Sequence, residues 1–272
     1  MNLYLADSGG IFRPYLHTKG GEGDANLLRL ENFPIEKSGA DGEIFRGANI
    51  LQSFYYADEF TEKEIIPKCK TFMLDSGAFS FKQNPSVKLD WDAYVDRYTE
   101  FINRNKVNLF FEMDIDKVIG LKEVEKLRAK IERQTGRQPI PVFHKSRGKD
   151  YFVYMCKNYP YVALGGIAKE QRLTGDRLKA VRWFIETAHE HDAKIHALGF
   201  TYINALPIYH FDSVDSTAWT SGNRFGSIYK FNGKTLEVIK KPDGKRMANH
   251  KAIARHNFLE WQKFARYAET HF

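Results

Sequence analysis

An α/β fold built on parallel strands is predicted by three features of this 272-residue sequence. Short apolar runs recur along the chain, stretches of helical periodicity lie between most of them, and the order is strand, helix, strand. Eight such runs precede a change of pattern, and eight is the strand number of a (β/α)8, or TIM, barrel. No linker rich in proline or serine divides the chain. We therefore predict a single TIM-barrel domain over residues 1–272, with a C-terminal β-hairpin and a closing helix.

The predicted elements follow one another in a regular order. Trp91–Arg104 has the apolar spacing of an amphipathic helix, as do residues 121–134 and 175–191. The first unit is the weakest, because the helix expected near residues 25–30 is short and follows a glycine-rich stretch. Strands are predicted at residues 3–6, 50–55, 71–74, 109–113, 140–143, 161–164, 194–198 and 211–214.

A hairpin and a helix are predicted after the eighth strand. Residues 227–231 and 234–240 flank Asn232-Gly233, a pair that supplies the positive φ angles of a tight hairpin turn. Residues 249–269 have the pattern of a helix that closes the domain.

Charge and cysteine content limit the classes of protein to which the chain can belong. The net charge of +7 and the pI near 9.1 favour a polyanionic partner such as nucleic acid, although a basic soluble enzyme has the same charge. Cys69 and Cys156 are the only cysteines, which excludes a disulfide framework and a multi-cysteine zinc site. There is no signal-peptide pattern and no apolar run of ~18 residues, so we expect a cytoplasmic protein that does not bind membranes.

Acidic residues recur where predicted strands end. In a barrel of parallel strands, the carboxyl ends form the catalytic rim. A single aspartate at such a position is more often a helix cap or a turn former, but four strand ends here carry one. Two carboxylates on one rim can serve as nucleophile and base at a sugar carbon. The residues at the predicted strand ends are Asp7, Tyr55, Asp75, Asp114 with Asp116, His144, Gly165 with Gly166, Gly199, and Asp212 with Asp215.

A bound cation is a second possibility for these acids, since clustered carboxylates suit a hard ion such as Mg²⁺. The sequence His189-Glu190-His191 also suggests metal ligands, but it ends a predicted helix that leads into the seventh strand, at the opposite rim. A metal centre needs converging ligands supported by further contacts. We predict no metal and no other cofactor.

Two acidic motifs resemble the tRNA-guanine transglycosylase superfamily, whose members are (β/α)8 enzymes. Residues 74–79, Leu-Asp-Ser-Gly-Ala-Phe, are similar to its Asp-Ser-Gly-Gly-Phe-Gln motif, and residues 211–214, Phe-Asp-Ser-Val, to its Phe-Asp-Cys-Val segment. Residues 164–168 resemble the Gly-Gly-Leu-Ala loop that contacts the base, and residues 221–226 resemble the Ser-Gly-Arg-Asn-Gly run that follows. The order and spacing of these segments agree with the family across residues 71–226.

The resemblance implies a role for each matched residue. Asp212 is expected to be the nucleophile, Asp75 the general base, and Asp114 the residue that recognises the base edge. His144 stands where the family has a glutamine that contacts the base. Asp215 is an extra acid that competes for the role of nucleophile. The expected substrate-binding set is Ser76, Asp114, His144, Gly165, Gly166 and Asp215.

The chain differs from the tRNA enzymes in size and metal content. It is much shorter, and its two cysteines cannot build the zinc site of three cysteines and one histidine that those enzymes carry. In these respects it is more similar to the compact, zinc-free phage branch, the DpdA-type enzymes. The resemblance implies exchange of guanine in DNA for a free 7-deazaguanine base such as preQ0. The same exchange on tRNA, a non-catalytic nucleic-acid-binding subunit, and a nucleoside or glycoside hydrolase are the alternatives.

Basic residues near the predicted rim are candidates for contacts with the nucleic-acid backbone. A short basic loop follows the fifth predicted strand, and the basic hairpin at residues 227–246 has Tyr229 and Phe231 among its lysines. In both cases the alternative is a solvated segment whose charges only aid solubility. The expected nucleic-acid-binding set is Lys145, Arg147, Arg224, Lys240 and Lys241.

Overall fold

The computed structural model describes residues 1–6, 27–28, 42–77, 89–166, 176–200, 202–221, 226–240, 246–247 and 250–272. Its centre is a curled sheet of eight strands. These are β1 (Asn2–Ala6), β2 (Asn49–Ser53), β3 (Thr71–Asp75), β4 (Leu109–Phe110), β5 (Val142–Phe143), β6 (Tyr161–Leu164), β7 (Lys194–Ala197) and β8 (Ser213–Ser216). They lie side by side in the order β4-β3-β2-β1-β8-β7-β6-β5, and neighbouring strands are parallel.

The strand order agrees with the TIM-like fold predicted from the sequence, because all strands except the edge pair β4 and β5 lie beside their neighbours in the chain. The first and last strands are paired in the middle of the sheet, with Leu3 opposite Val214. The edge strands β4 and β5 approach each other at an isolated parallel bridge between Phe111 and Ile140. The prediction of a mixed α/β fold around eight parallel strands is therefore confirmed.

The described α-helices are α1 (Trp91–Arg104), α2 (Asp116–Ile119), α3 (Leu121–Thr135), α4 (Lys149–Asn158), α5 (Asp176–Glu190) and α6 (His250–His271). Asp90 caps α1 by accepting a hydrogen bond from the backbone N–H of Ala93 at 3.1 Å. The prediction of a helix near residues 25–30 is wrong at Leu27–Leu28, which form a short strand parallel to Arg246–Met247. The rest of that segment lies outside the described residues. None of the described helices is long and apolar enough to cross a lipid bilayer.

Helix α6 packs against β1 and supplies large aromatic side chains to the core. Phe258, Trp261 and Phe264 are all buried. The ring of Trp219 meets Phe258 edge to face, with centroids 5.1 Å apart, and its indole N–H donates to the backbone oxygen of Ala6 at 2.7 Å. The loop after β8 is thereby attached to the carboxyl end of β1.

An antiparallel hairpin follows this loop. Its strands are β9 (Ser227–Phe231) and β10 (Leu236–Lys240). The backbone N–H of Tyr229 donates to Oδ1 of Asn257 at 2.9 Å, and that of Phe231 donates to Oε2 of Glu260 at 2.6 Å. Both acceptors belong to α6, so polar side chains of the last helix hold one edge of the hairpin.

Candidate active site

Asp75 is the last residue of β3 and lies at the carboxyl end of the sheet. Its Oδ2 accepts a hydrogen bond from the backbone N–H of Gly77 at 3.3 Å. The pKa of Asp75 is raised to about 7, first by burial and next by the negative charge of Asp114, with a smaller contribution from Asp215. Carboxylates from three parts of the sheet are therefore close enough at this rim to act on one another.

The turn after Asp75 is tightly packed. Gly77 has a φ of +80°, and a Cβ at this position would lie 2.8 Å from Cβ of Tyr55 and 3.0 Å from its backbone nitrogen. The hydroxyl of Tyr94 donates to the backbone oxygen of Ser76 at 2.7 Å, and Ser76 itself is fully buried. The turn thus requires glycine, and it packs closely against Tyr55, which is 49% exposed.

Asp215 is the third residue of β8, and two polar groups contact its carboxylate. The backbone N–H of Gly199 donates to Oδ1 at 2.6 Å, and Nε2 of His196 lies 3.2 Å from the same oxygen. The residue is 6% exposed. Both contacts use Oδ1, so Oδ2 is the oxygen that these two partners leave available to a substrate.

The expected position of Asp212 on the catalytic rim is wrong. Strand β8 begins at Ser213, two residues later than predicted, so Asp212 precedes the strand and lies at its amino end. Its Oδ2 accepts from the backbone N–H of Ile195 at 2.8 Å and lies 3.0 Å from Nε2 of His189. Because a strand rises about 3.3 Å per residue, the three steps along the chain from Asp212 to Asp215 span roughly 10 Å. The carboxylate of this motif that acts on Asp75 is Asp215.

Asp114 and His144 are paired beside this cluster. Nε2 of His144 contacts Oδ1 of Asp114, which joins the segments after β4 and β5. A Cβ on Gly165 would come within 2.6 Å of Cε1 of His144, so a side chain at the end of β6 would displace the imidazole. Gly166 has a φ of +80° and follows in the same turn. The sequence-predicted residues Ser76, Asp114, His144, Gly165 and Gly166 therefore lie at or directly after the carboxyl ends of the strands, with Asp75.

The prediction that Arg147 contacts nucleic acid is wrong. Its side chain is 1% exposed, with Nη1 2.7 Å from Oε1 of Glu112 and Nε 3.1 Å from Oδ2 of Asp116. Glu112 is fully buried and also bonds to Arg128 at 3.1 Å. A buried carboxylate requires such partners, and two arginines supply them here. The basic residue of this loop that remains exposed is Lys145.

The other predicted basic contacts are only partly described. Lys240 is exposed at the end of β10, opposite Ser227. Arg224 and Lys241 lie outside the described residues, as does Asp7 at the end of β1.

The described residues that could ligate a cation include His144 and two nearby aspartates. Asp114, Asp116 and His144 each offer a ligand atom, and these atoms lie within 4.8 Å of one another. Two carboxylates and an imidazole suit a divalent ion. Asp116 is already paired with Arg147, however, and His144 with Asp114. Oδ1 of Asp116 is buried without a hydrogen-bond partner among the described residues, so it stays available as a ligand atom.

Sequence reasoning missed His196 and Ser213, which lie behind Asp215. His196 is fully buried in β7 and is the register partner of Ser213 in β8. The sequence does contain one signal, since His196 is a polar residue between the apolar residues Ile195 and Ala197, and a buried polar group needs a partner.

No family model fits the sequence, and no curated protein matches it significantly.

Proposed function

We propose that the protein is a glycosyltransferase that exchanges guanine in DNA for a 7-deazaguanine base by double displacement. The observation that carries the proposal is the raised pKa of Asp75, about 7, to which burial contributes most and the charge of Asp215 contributes in part, while Oδ1 of Asp215 contacts Gly199 and His196. One carboxyl group is about half protonated near neutral pH, while the other is held as an acceptor. When two carboxyl groups lie in such different environments, one is favoured as the acid/base and the other as the nucleophile.

In the first step, Oδ2 of Asp215 attacks C1′ of the target nucleotide and forms an ester bond. The bond between C1′ and N9 of guanine breaks, and its electron pair stays with the base. The protonated form of Asp75 donates its proton to the departing guanine, which leaves as a neutral molecule.

In the second step, the carboxylate of Asp75 accepts the N9 proton of the incoming 7-deazaguanine. This nitrogen attacks C1′, the ester bond breaks, and the carboxylate of Asp215 is restored. Asp75 is protonated again, so the cycle balances without a cofactor. Two inversions at C1′ retain the original configuration.

Recognition of the base is assigned to Asp114. A carboxylate accepts from the N1–H and the amino group, and guanine and its 7-deaza analogues share that edge. His144 contacts Asp114 and packs against Gly165, which fixes the orientation of the pair. The motif resemblance described above supports this class of base.

A polynucleotide substrate is supported by the charge and by an exposed aromatic side chain. The net charge is +7, and Tyr55 is half exposed beside the turn of Asp75. The target base must leave the stack to reach the carboxylates, and exposed aromatic rings can stack on its unpaired neighbours.

We also infer that the sheet closes into a (β/α)8 barrel between β4 and β5. The backbone N–H of Glu112 donates to Ile140 at 3.0 Å, and that of Ile140 donates to Phe110 at 2.8 Å. The contact between Asp114 and His144 links the same two segments at the rim. Closure brings the last pair of strand ends into one continuous site.

The test is to incubate the protein with labelled preQ0 and either duplex DNA or tRNA, digest each to nucleosides and weigh the products. We expect label in the DNA and an equal amount of free guanine. Asp75→Asn should slow exchange by ~10²–10⁴-fold while DNA binding is kept, because the amide has nearly the same size but cannot transfer the proton.

Other outcomes would reject the proposal in defined ways. Label in tRNA but not in DNA would show that the same base exchange takes place on tRNA. Guanine release without incorporation would indicate a hydrolase. DNA binding with neither product would indicate a non-catalytic subunit.

A further inference from the structure

A line of buried hydrogen bonds runs through the sheet to Asp215. The hydroxyl of Tyr161, the first residue of β6, contacts Oγ of Ser213, the first residue of β8. The same Oγ contacts Nδ1 of His196, the third residue of β7. Nε2 of His196 lies 3.2 Å from Oδ1 of Asp215, the third residue of β8. The line therefore begins at the amino ends of the strands and ends at the carboxylate of the candidate site.

The following assignment of the protons gives every donor in this line an acceptor. Burial raises the pKa of Tyr161, so the phenol keeps its proton and acts as a donor. Oγ of Ser213 is the acceptor that the described part of the chain offers it. The proton of Ser213 then points to Nδ1 of His196, which must be an unprotonated acceptor. The proton of the imidazole is left on Nε2, where it is donated to Asp215.

The imidazole is fixed in this orientation by its surroundings. His196 is fully buried, and its ring centroid lies 6.1 Å from that of Tyr4 and 5.4 Å from that of Phe111. The strand register pairs His196 with Ser213, which brings Nδ1 to the hydroxyl. Rotation of the ring would remove both polar contacts and leave buried nitrogen atoms without partners.

We propose that Tyr161, Ser213 and His196 are positioning residues that present Asp215 for reaction. They hold His196 as the neutral tautomer protonated on Nε2, which engages Oδ1 of Asp215 together with the N–H of Gly199. Oδ2 is thereby selected as the oxygen that attacks C1′. The proposal rests on the proposed function in one respect, which is that Asp215 is the nucleophile.

Kinetics of two matched variants test the effect on reaction. His196→Gln keeps an N–H donor that can reach Asp215, and His196→Met has a similar length without one. We expect His196→Met to lower kcat by about 10²-fold, because a misplaced reacting group costs about that much. KM should stay unchanged, because no substrate contact is removed. His196→Gln should restore most of the rate.

A second measurement does not depend on catalysis. Nitrogen-15 NMR of the wild-type protein distinguishes the two neutral tautomers and the imidazolium, and comparison with His196→Gln identifies the signal of His196. At neutral pH we expect the tautomer protonated on Nε2. Its protonation on Nδ1, or on both nitrogen atoms, would overturn the proposed direction of the line.

The two measurements separate this inference from the proposed function. If wild-type protein does not exchange bases, the proposed function fails, and the tautomer still decides whether the line exists as described. If exchange occurs but a folded His196→Met variant keeps its kcat, the positioning role is wrong and the proposed function stands. Should His196→Met fail to fold, Ser213→Ala provides the same test, since it removes the donor to Nδ1, and an unchanged kcat would then overturn the inference.

Discussion

Asp212 and Asp215 are separated by only two residues, yet their carboxylates bond to different ends of the neighbouring strand β7. Asp212 accepts from the N–H of Ile195, near the start of that strand, whereas Asp215 accepts from Gly199, beyond its end. The acidic motif thus contains one carboxylate that holds two strands together and one that lies in the candidate site.

Alanine substitution of each acid should separate these roles. Asp215→Ala should abolish base exchange and any covalent protein–DNA adduct, because no nucleophile remains. Asp212→Ala should keep near-normal activity and lose about 1 kcal/mol of stability with the bond to Ile195. Exchange assays, denaturing gels of trapped adducts and thermal unfolding measure these effects. Loss of the adduct in Asp212→Ala alone would return the role of nucleophile to Asp212.

The stability of the protein should depend on pH through Asp75. Its pKa is raised to about 7 in the folded protein, above the ordinary value of 3.8. The folded state therefore binds the proton more tightly than the unfolded state, and the stability is greatest below pH 4 with respect to this group. The contribution of Asp75 to stability falls as the pH rises from about 4 towards 7, and it no longer changes above pH 7.

Asp75→Asn removes this dependence, because an amide does not ionise. The variant should be more stable than wild type above pH 7, by up to about 4 kcal/mol for a shift of about three pH units. The difference should shrink towards pH 4. Denaturant unfolding of both proteins at several pH values measures it, and a constant difference across that range would contradict the raised pKa.

Substitution of Arg147 should affect folding rather than nucleic-acid binding. Arg147→Ala leaves Glu112 with one of its two arginines and should cost about 3–5 kcal/mol, as the removal of one partner from a buried ion pair does. Lys145→Ala, two residues away and exposed, is the matched control and should be neutral for stability. A stable Arg147→Ala variant with weakened DNA binding would show instead that this arginine contacts the substrate.

The basic hairpin should bind the nucleic-acid backbone without regard to sequence. Replacing Lys240 and Lys241 together by glutamate should weaken DNA binding and flatten its salt dependence, because each lysine–phosphate ion pair that is removed lowers the log–log slope by about 0.9. Replacing Lys122 of α3 and Lys157 of α4, both exposed, by glutamate is the control for the same change of net charge. Equal effects of the double variant and the control would show that the hairpin lysines only add charge.

Much of the fold could be predicted because its strands and helices have a strong apolar period. Strand β6 and helix α1 have the predicted bounds, and β7 ends one residue early. The strands β4 and β5 are shorter than the apolar runs that contain them, because Phe111 and Ile140 form only a bridge. The length of an apolar run limits where a strand can lie but does not fix its hydrogen-bonded pairs.

The candidate site is harder to predict, because the register of each strand decides which of its residues reach the carboxyl end of the sheet. The sequence Phe-Asp-Ser-Val-Asp-Ser contains two acids and two serines, and either acid can follow a strand. Serine is typical of turns, yet Ser213 and Ser216 are both buried in β8. The prediction for Arg147 fails for a related reason, since its partner Glu112 is distant in the chain and a basic loop in sequence shows no sign of burial.

The turn at Gly77 limits how this chain can change in evolution. A side chain at that position would collide with the backbone nitrogen of Tyr55 as well as its Cβ, so no replacement at position 55 relieves the conflict. The positive φ adds a cost of its own for any other residue. Substitutions at position 55 are therefore expected to occur independently of position 77. Position 77 itself is expected to stay glycine in every descendant that keeps this turn.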